Sequence, residues 1–244
     1  MDEPTEAELD ECPFCEGRED RTPPETFRVG GAAQWIVRVV PNLYPAFERQ
    51  EVVVHSPRHV RTFADLTGEE LAAVEIAWEA RRDAAQREGF RYVHALVNEG
   101  RAAGSSLPHS HSQLVWLREP PPAVTAERTD ALPELLAERE LLIAEEEGLC
   151  AVVHRAGRLP YETLIGGESF HLGAALRLLR DVVTRLRAVE GPIPWNAWLH
   201  DNHLELVPRV STLAGIELGA GIYVNTVDPA EAARELRETP TSSG

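Results

Sequence analysis

The spacing of apolar and polar positions divides this chain into short extended segments and a few helical ones. Residues 34–40 (QWIVRVV) and 51–54 (EVVV) are β-branched and bounded by proline, which predicts two strands. Between them, residues 41–47 (PNLYPAF) are too apolar for a solvated connection and predict a structured loop. A helix is expected to start at the Thr67-x-x-Glu70 capping box and stop near Gly89, with Leu71, Val74, Trp78 and Ala85 on its apolar face. Residues 92–97 and 110–117 then predict two further strands. A strand, strand, helix, strand, strand order favours an antiparallel α+β layer. Pro120, Pro121 and Pro122 break the pattern and suggest a module boundary.

Beyond that break the same grammar partly repeats. A helix is expected over 131–147, ending at Gly148, then a strand over 150–154. Leu172, Leu176, Leu179, Val183 and Leu186 follow at alternating four- and three-residue spacing, which predicts a second amphipathic helix. Strands over 195–199 and 204–207 follow, and Asp228-Pro229-x-Glu231 caps a last helix. The expected organisation is an acidic, frayed tail over 1–10, an N-terminal half over 11–122 and a related C-terminal half over 123–244.

Candidate chemistry concentrates between Asn98 and Gln113. In an extended strand alternate side chains share a face, so His109, His111 and Gln113 point one way and Ser110 and Ser112 the other. Just upstream, Gly100 and Gly104 allow a tight turn that exposes backbone N–H groups, the kind of concavity that holds phosphate. A phosphate beside a neutral imidazole suggests nucleophilic attack on phosphorus. Cys12-Pro-Phe-Cys15 places two thiolates close enough to share a zinc ion if two more ligands arrive from elsewhere; a redox pair and a chance spacing are the other readings, and no thioredoxin-like βαβ pattern surrounds it. His55, His59 and His109 are the candidates, with His59 and His109 preferred. His111, left free, is then the expected nucleophile, and Gln113 can donate a hydrogen bond to a phosphoryl oxygen.

Composition narrows the partners. A formal net charge of −16, from 24 basic and 40 acidic residues, argues against a broad nucleic-acid surface. It leaves room for a small phosphorylated ligand held by local donors. No apolar run approaches the ~20 residues that span a bilayer, and the start of the chain is acidic rather than signal-like. Three cysteines make no disulfide framework, so a reducing, cytoplasmic location is expected.

Cys12-Pro-Phe-Cys15, Asn42-Leu-Tyr-Pro-Ala, His55-Ser-Pro-Arg-His59 and the run from Asn98 to Gln113 resemble, in order and spacing, the galactose-1-phosphate uridylyltransferase family, a branch of the histidine-triad superfamily. The resemblance is strong over 12–120, moderate over 195–238 and poor between. It implies a histidine-triad-like α+β fold of two tandem antiparallel-sheet halves with packed helices, assembled as a homodimer. It implies one zinc on Cys12, Cys15, His59 and His109, a covalent nucleotide on His111, and assistance from Gln113. Asn42, Asn98, Gly104, Ser105 and Ser106 fall at positions that meet the nucleotide or its phosphates, and Glu217 matches a residue that contacts sugar hydroxyls. The implied activity is ping-pong nucleotidyl exchange between a nucleotide sugar and a hexose 1-phosphate, as with UDP-glucose. His-Ser-His-Ser-Gln and residues 215–225 look especially similar to the ADP-glucose phosphorylase branch, in which inorganic phosphate is the acceptor.

Two departures bear on this. A second metal site of the family is expected to be absent, because the C-terminal half offers only Cys150. Where relatives often read His-x-His-x-Glu, this chain has Asp201-Asn-His203-Leu-Glu205, so His203 and Glu205 are either structural or line the sugar pocket. The competing classes are a nucleotide hydrolase and a non-catalytic zinc-stabilised nucleotide-sugar-binding protein.

Overall fold

The computed structural model describes residues 4–32, 34–127 and 131–240. The chain forms two compact units, Met1–Glu99 with Ser105–Glu127 and Gly100–Gly104 with Arg128–Gly244. Each is built on an antiparallel sheet with helices packed on it, the α+β class expected.

The first unit contains α1 (Glu6–Glu11), β1 (Phe27–Gly30), β2 (Trp35–Pro41), β3 (Arg49–Val54), α2 (Gly68–Arg87), β4 (Tyr92–Glu99), β5 (His111–Leu117) and α3 (Pro122–Ala126). Its strands lie in the order β1-β2-β3-β5-β4. Strand β5 is central between β3 and β4, with Val54 opposite His111, Val53 opposite Ser112 and Val52 opposite Gln113. Alternation then gives β5 two chemically distinct faces.

Helix α2 covers one of them. Thr67 and Glu70 form the expected capping box, and Leu71, Val74, Trp78 and Ala85 are all buried. Both Nε and an Nη of Arg81 on α2 donate to the Glu51 carboxylate on β3, at 2.9 and 2.8 Å. The guanidinium also lies 5.0 Å from the Trp116 ring on β5. A buried charge pair is tolerated because it is bidentate and Thr26 Oγ1 donates to the same carboxylate at 2.7 Å. Against β2 and β3 a separate apolar cluster joins Cys12, Phe14, Trp35, Val40, Val52 and Val54.

The second unit contains α4 (Leu132–Leu136), β6 (Leu142–Glu146), β7 (Leu149–Val153), β8 (Thr163–Gly166), α5 (Leu172–Glu190), β9 (Trp195–Leu199), β10 (His203–Pro208), α6 (Gly215–Ala220) and α7 (Pro229–Glu238). Its strand order is β9-β10-β8-β7-β6. Leu172, Leu176, Leu179, Val183 and Leu186 of α5 are buried as their spacing predicts, and Asp228 Oδ1 caps α7 by accepting from the N–H groups of Ala230 and Glu231.

Two expectations fail here. The helix expected over 131–147 is a short helix, α4, followed by strand β6. Glu147 and Gly148 both take positive φ, 48° and 83°, and close a two-residue hairpin in which Glu146 pairs with Leu149. That turn suits the strand twist and overrides the helical spacing of the leucines. The tail expected to fray over 1–10 is helical from Glu6, with Thr5 Oγ1 accepting from Glu8 N–H at 3.1 Å; residues 1–3 lie outside the described residues.

Candidate functional site

Three separate stretches of the first unit converge on one point. The residues of the 12–15 turn follow α1, His59 follows β3, and His109 precedes β5. The Sγ atoms of Cys12 and Cys15 and one ring nitrogen from each of His59 and His109 all lie within 4.8 Å of one another. Cys12 Sγ is 3.4 Å from His109 Nδ1, and Cys15 Sγ is 3.3 Å from His59 Nδ1 and 3.8 Å from His109 Nδ1.

The hydrogen bonds behind these rings decide which nitrogen can act as a ligand. His109 Nε2–H donates to the Ser56 carbonyl at 3.0 Å, and His59 Nε2–H donates to the Glu8 carboxylate at 2.9 Å. Both rings are thereby protonated at Nε2, so both Nδ1 lone pairs face the sulfurs. Outer contacts of this kind orient metal-binding imidazoles. Glu8 also lies 3.0 Å from Arg61 Nε, so the acidic N-terminal stretch has a definite task. The loop carrying His59 is tied to α2 by Glu70, which accepts from Ser56 Oγ at 2.6 Å and from Arg58 at 2.6 and 3.0 Å. One carboxylate caps the helix and fixes the ligand loop.

Electrostatics agree with a cation at this point. Burial first, and the neighbouring Cys12 second, push the Cys15 thiol up to about 12. Burial likewise pushes His109 down to about 4. Cys15 and His109 therefore favour their neutral forms in the absence of a positive charge beside them, and a cation held by the four side chains would supply that charge.

His111 is two residues further on, with only 7% of its surface exposed. Its Nδ1–H donates to the His109 carbonyl at 2.7 Å, and Phe14 packs edge-on against it at 5.4 Å. Burial holds its pKa below the ordinary histidine range. With the proton on Nδ1, the lone pair sits on Nε2, which no described residue engages by a hydrogen bond. Gln113, on the same face of β5, accepts from Gln50 Nε2 through its Oε1 at 2.6 Å.

The opposite face of the strand is closed by His55. This fully buried ring bridges Ser110 Oγ and Ser112 Oγ, each at 2.9 Å, and Trp78 Nε1–H donates to Ser112 Oγ at 2.9 Å. Ser112 Oγ therefore accepts from Trp78, and both ring nitrogens of His55 are engaged by the two serine hydroxyls. His55 is thus no metal ligand; it satisfies two serines that alternation drives into the α2 interface.

The family model for the galactose-1-phosphate uridyl transferase N-terminal domain matches residues 45–121. ADP-glucose phosphorylase from Arabidopsis thaliana is 28% identical, over 93% of this chain and 81% of that protein. Its crystal structure with bound ADP-glucose superposes with a TM-score of 0.83 at 26% identity, covering 94% of this chain and 91% of that one. Galactose-1-phosphate uridylyltransferase from Thermotoga maritima is 26% identical over 78% of this chain and 73% of that protein. The chain is thus similar to galactose-1-phosphate uridylyltransferase-family proteins, in the 45–121 segment by the family model and over most of its length by these relatives.

Other residues expected to serve a uridylyltransferase-like site fall partly in the first unit and partly in the second. Asn42 stands after β2, where its Oδ1 accepts from Tyr44 N–H at 2.9 Å. Asn98 is near the end of β4, Ser105 Oγ donates to the Leu107 carbonyl at 2.9 Å, and Ser106 is exposed. Gly104, with φ 94°, ends the turn over Arg101–Ala103, which belongs to the second unit; there Asn196 Nδ2 donates to the Ala103 carbonyl at 2.8 Å. Gly100 takes φ 85°, and a Cβ on it would meet Pro194 at 2.9 Å. Glu217, also in the second unit, accepts from Ala214 N–H at 2.9 Å. Glu205 is ion-paired with Arg158 at 2.7 Å, and Arg158 also holds Glu162. The His203 ring packs edge-on against His200 at 4.9 Å. Gln50, Glu8 and the bridging role of His55 escaped sequence reasoning. Only Glu8 had a signal, the Thr5-x-x-Glu8 spacing of a helix start.

Proposed function

We propose that this protein is a nucleotidyltransferase that carries a nucleoside monophosphate on His111 between a nucleotide sugar and a phosphate acceptor. The observation that carries the reading is the orientation of His111, whose Nδ1–H is spent on the His109 carbonyl, leaving Nε2 as the nucleophilic nitrogen. The Nε2 lone pair attacks the α-phosphorus, the bond from that phosphorus to the bridging oxygen breaks, and the sugar 1-phosphate leaves with the electron pair. An acceptor phosphate oxygen then attacks the same phosphorus, and the P–N bond electrons return to Nε2. A sugar phosphate is a good leaving group, so no strong general acid is needed. Gln113 stabilises the charge moving onto the phosphoryl oxygens.

Hexose 1-phosphate is the acceptor in the uridylyltransferase form of this reading. The second form, phosphorolysis of ADP-glucose by inorganic phosphate, is supported by the longer match to the Arabidopsis ADP-glucose phosphorylase. Asn42, Asn98, Gly104, Ser105 and Ser106 are assigned to the nucleotide and its phosphates, and Glu217 to the sugar. The three free cysteines support a reducing, cytoplasmic setting, and among the described residues no helix is long and apolar enough to cross a membrane.

Zinc is the cation this reading assigns to Cys12, Cys15, His59 and His109. Tetrahedral zinc, with bonds of about 2.3 Å to sulfur and 2.0–2.1 Å to nitrogen, requires sulfur–nitrogen separations of roughly 3.5 Å. The observed 3.3, 3.4 and 3.8 Å fit. When bound, the ion neutralises the thiolates and braces the chain entering β5.

Intact-mass measurement after incubation with UDP-glucose and, separately, ADP-glucose tests the transfer. The expected result is a gain of one UMP or one AMP, reversed by hexose 1-phosphate or by inorganic phosphate. Consumption of either donor without an acceptor and without a covalent adduct would favour a hydrolase and overturn the reading.

A homodimer is part of the same proposal. Ile216, Leu218, Ile222, Tyr223 and Val224 are all exposed within a single short stretch, a concentration of apolar surface that suits association. Sedimentation is expected to give a dimer for the wild type and a folded monomer for Leu218→Glu combined with Ile222→Glu; a monomeric wild type refutes the assignment.

A further inference from the structure

We infer that Gln50 is a positioning residue that fixes which end of the Gln113 amide is offered to the phosphoryl group. The inference rests on the reading that His111 and Gln113 serve nucleotidyl transfer. Its basis is a chain of three groups with a single consistent direction. Ala46 N–H is 2.9 Å from Gln50 Oε1, and a backbone N–H can only donate. Gln50 must therefore turn its oxygen toward Ala46 and its NH2 toward Gln113. Across that 2.6 Å contact the NH2 needs an acceptor, so Gln113 presents Oε1 to it. The Gln113 NH2 group then points away, and no described residue engages it by a hydrogen bond. Turning Gln113 around would set two NH2 groups against each other.

Strand geometry makes the contact possible. Val52 stands opposite Gln113 and Gln50 opposite Val115, so Gln50 is the diagonal, same-face neighbour of Gln113. Long side chains span that diagonal. Gln50 also accepts from Asn42 N–H through its backbone carbonyl at 2.8 Å, so the loop carrying Asn42 and Ala46 is joined to Gln113 through this one residue. The consequence is a donor with a fixed sense at the reacting phosphorus, with no charged residue needed to supply it.

A double-substitution cycle on the purified full chain tests this, using single-turnover loading of His111 by the donor that labels the wild type. Gln113→Met should slow loading by about 100-fold, the effect of losing one preorganised oxyanion donor. Gln50→Met should slow it by about tenfold, with the apparent donor affinity and the melting temperature unchanged, because only the sense of the amide is lost. The decisive result is the double variant, which should be no slower than Gln113→Met alone. Multiplying effects would show that Gln50 acts by another route and would overturn the inference, as would a Gln50→Met protein that loads at the wild-type rate.

Gln50→Glu provides a second variant of the same shape. Its carboxylate accepts from Ala46 and draws the Gln113 NH2 toward itself, so loading should fall at least as far as in Gln50→Met; wild-type loading here also overturns the inference. A wild type that forms no adduct removes the transfer reading itself. A labelled wild type with independent Gln50 and Gln113 effects removes only this one.

Discussion

His111→Gly should abolish the covalent adduct and lower exchange by a factor on the order of 10⁴–10⁶, the scale seen when a catalytic nucleophile is removed. The metal should stay, because His111 contributes nothing to the Cys12, Cys15, His59 and His109 cluster. The fold should also survive. Val54 pairs with His111 through the backbone, Ser110 and Ser112 stay held by His55 from the other face, and the backbone cost of glycine relative to alanine in a strand is about 1 kcal/mol, added to the lost packing of the ring on Phe14. The informative combination is thus full zinc content, a single cooperative melting transition and no labelled protein. Exchange at an unchanged rate would refute covalent catalysis by this ring. It would leave the same chain as a nucleotide-sugar-binding protein, for which loss of the imidazole should be tolerated.

Placement that depends on neighbours in sequence was legible before any coordinates. The alternation across His109, Ser110, His111, Ser112 and Gln113 separates two sets of side chains on two faces. The structure places Phe14 against His111 on one side and His55 against both serines on the other. The Thr67 and Glu70 spacing likewise located the start of α2. Contacts made over long stretches of chain were not legible. Gln50 reaches Gln113 across 63 residues and Glu8 reaches His59 across 51. Gln50 carries no local pattern, and the Thr5-x-x-Glu8 spacing marks a helix start without pointing to His59. The helix expected over 131–147 failed for a different reason. Leu132, Leu135, Leu136 and Ile143 satisfy a helical period, but the Glu147-Gly148 turn makes a hairpin, and pairing with β7 decides the outcome. Strands β1 and β8 span only four residues each, too few to carry a period.

Stripping the metal should have the second large effect, and it should show in stability before it is sought in activity. The four donors tie together residues separated by 44 and 94 positions, so the ion closes long loops that the unfolded chain leaves open. A ligand bound only by the folded state stabilises it by roughly 4 kcal/mol at about a thousand times its Kd. For a chain of this length that corresponds to a melting temperature lower by roughly 10 °C after chelation. Cys12→Ser should reproduce much of the loss, because Cys12 is both a ligand and a buried member of the apolar cluster with Phe14 and Val54. Cys150→Ser is the control: that thiol lies on β7, only partly buried and near Glu145, so it should leave zinc content and melting unchanged. Acid should weaken binding, since protons compete for both sulfurs and both Nδ1 atoms. His111 follows His109 on the chain and donates to its carbonyl, so chelation should also slow adduct formation in the fraction that remains folded. Zinc-free protein as purified, with a melting curve indifferent to chelator, would refute the metal assignment and leave Cys12-Pro-Phe-Cys15 as a redox pair or a chance spacing.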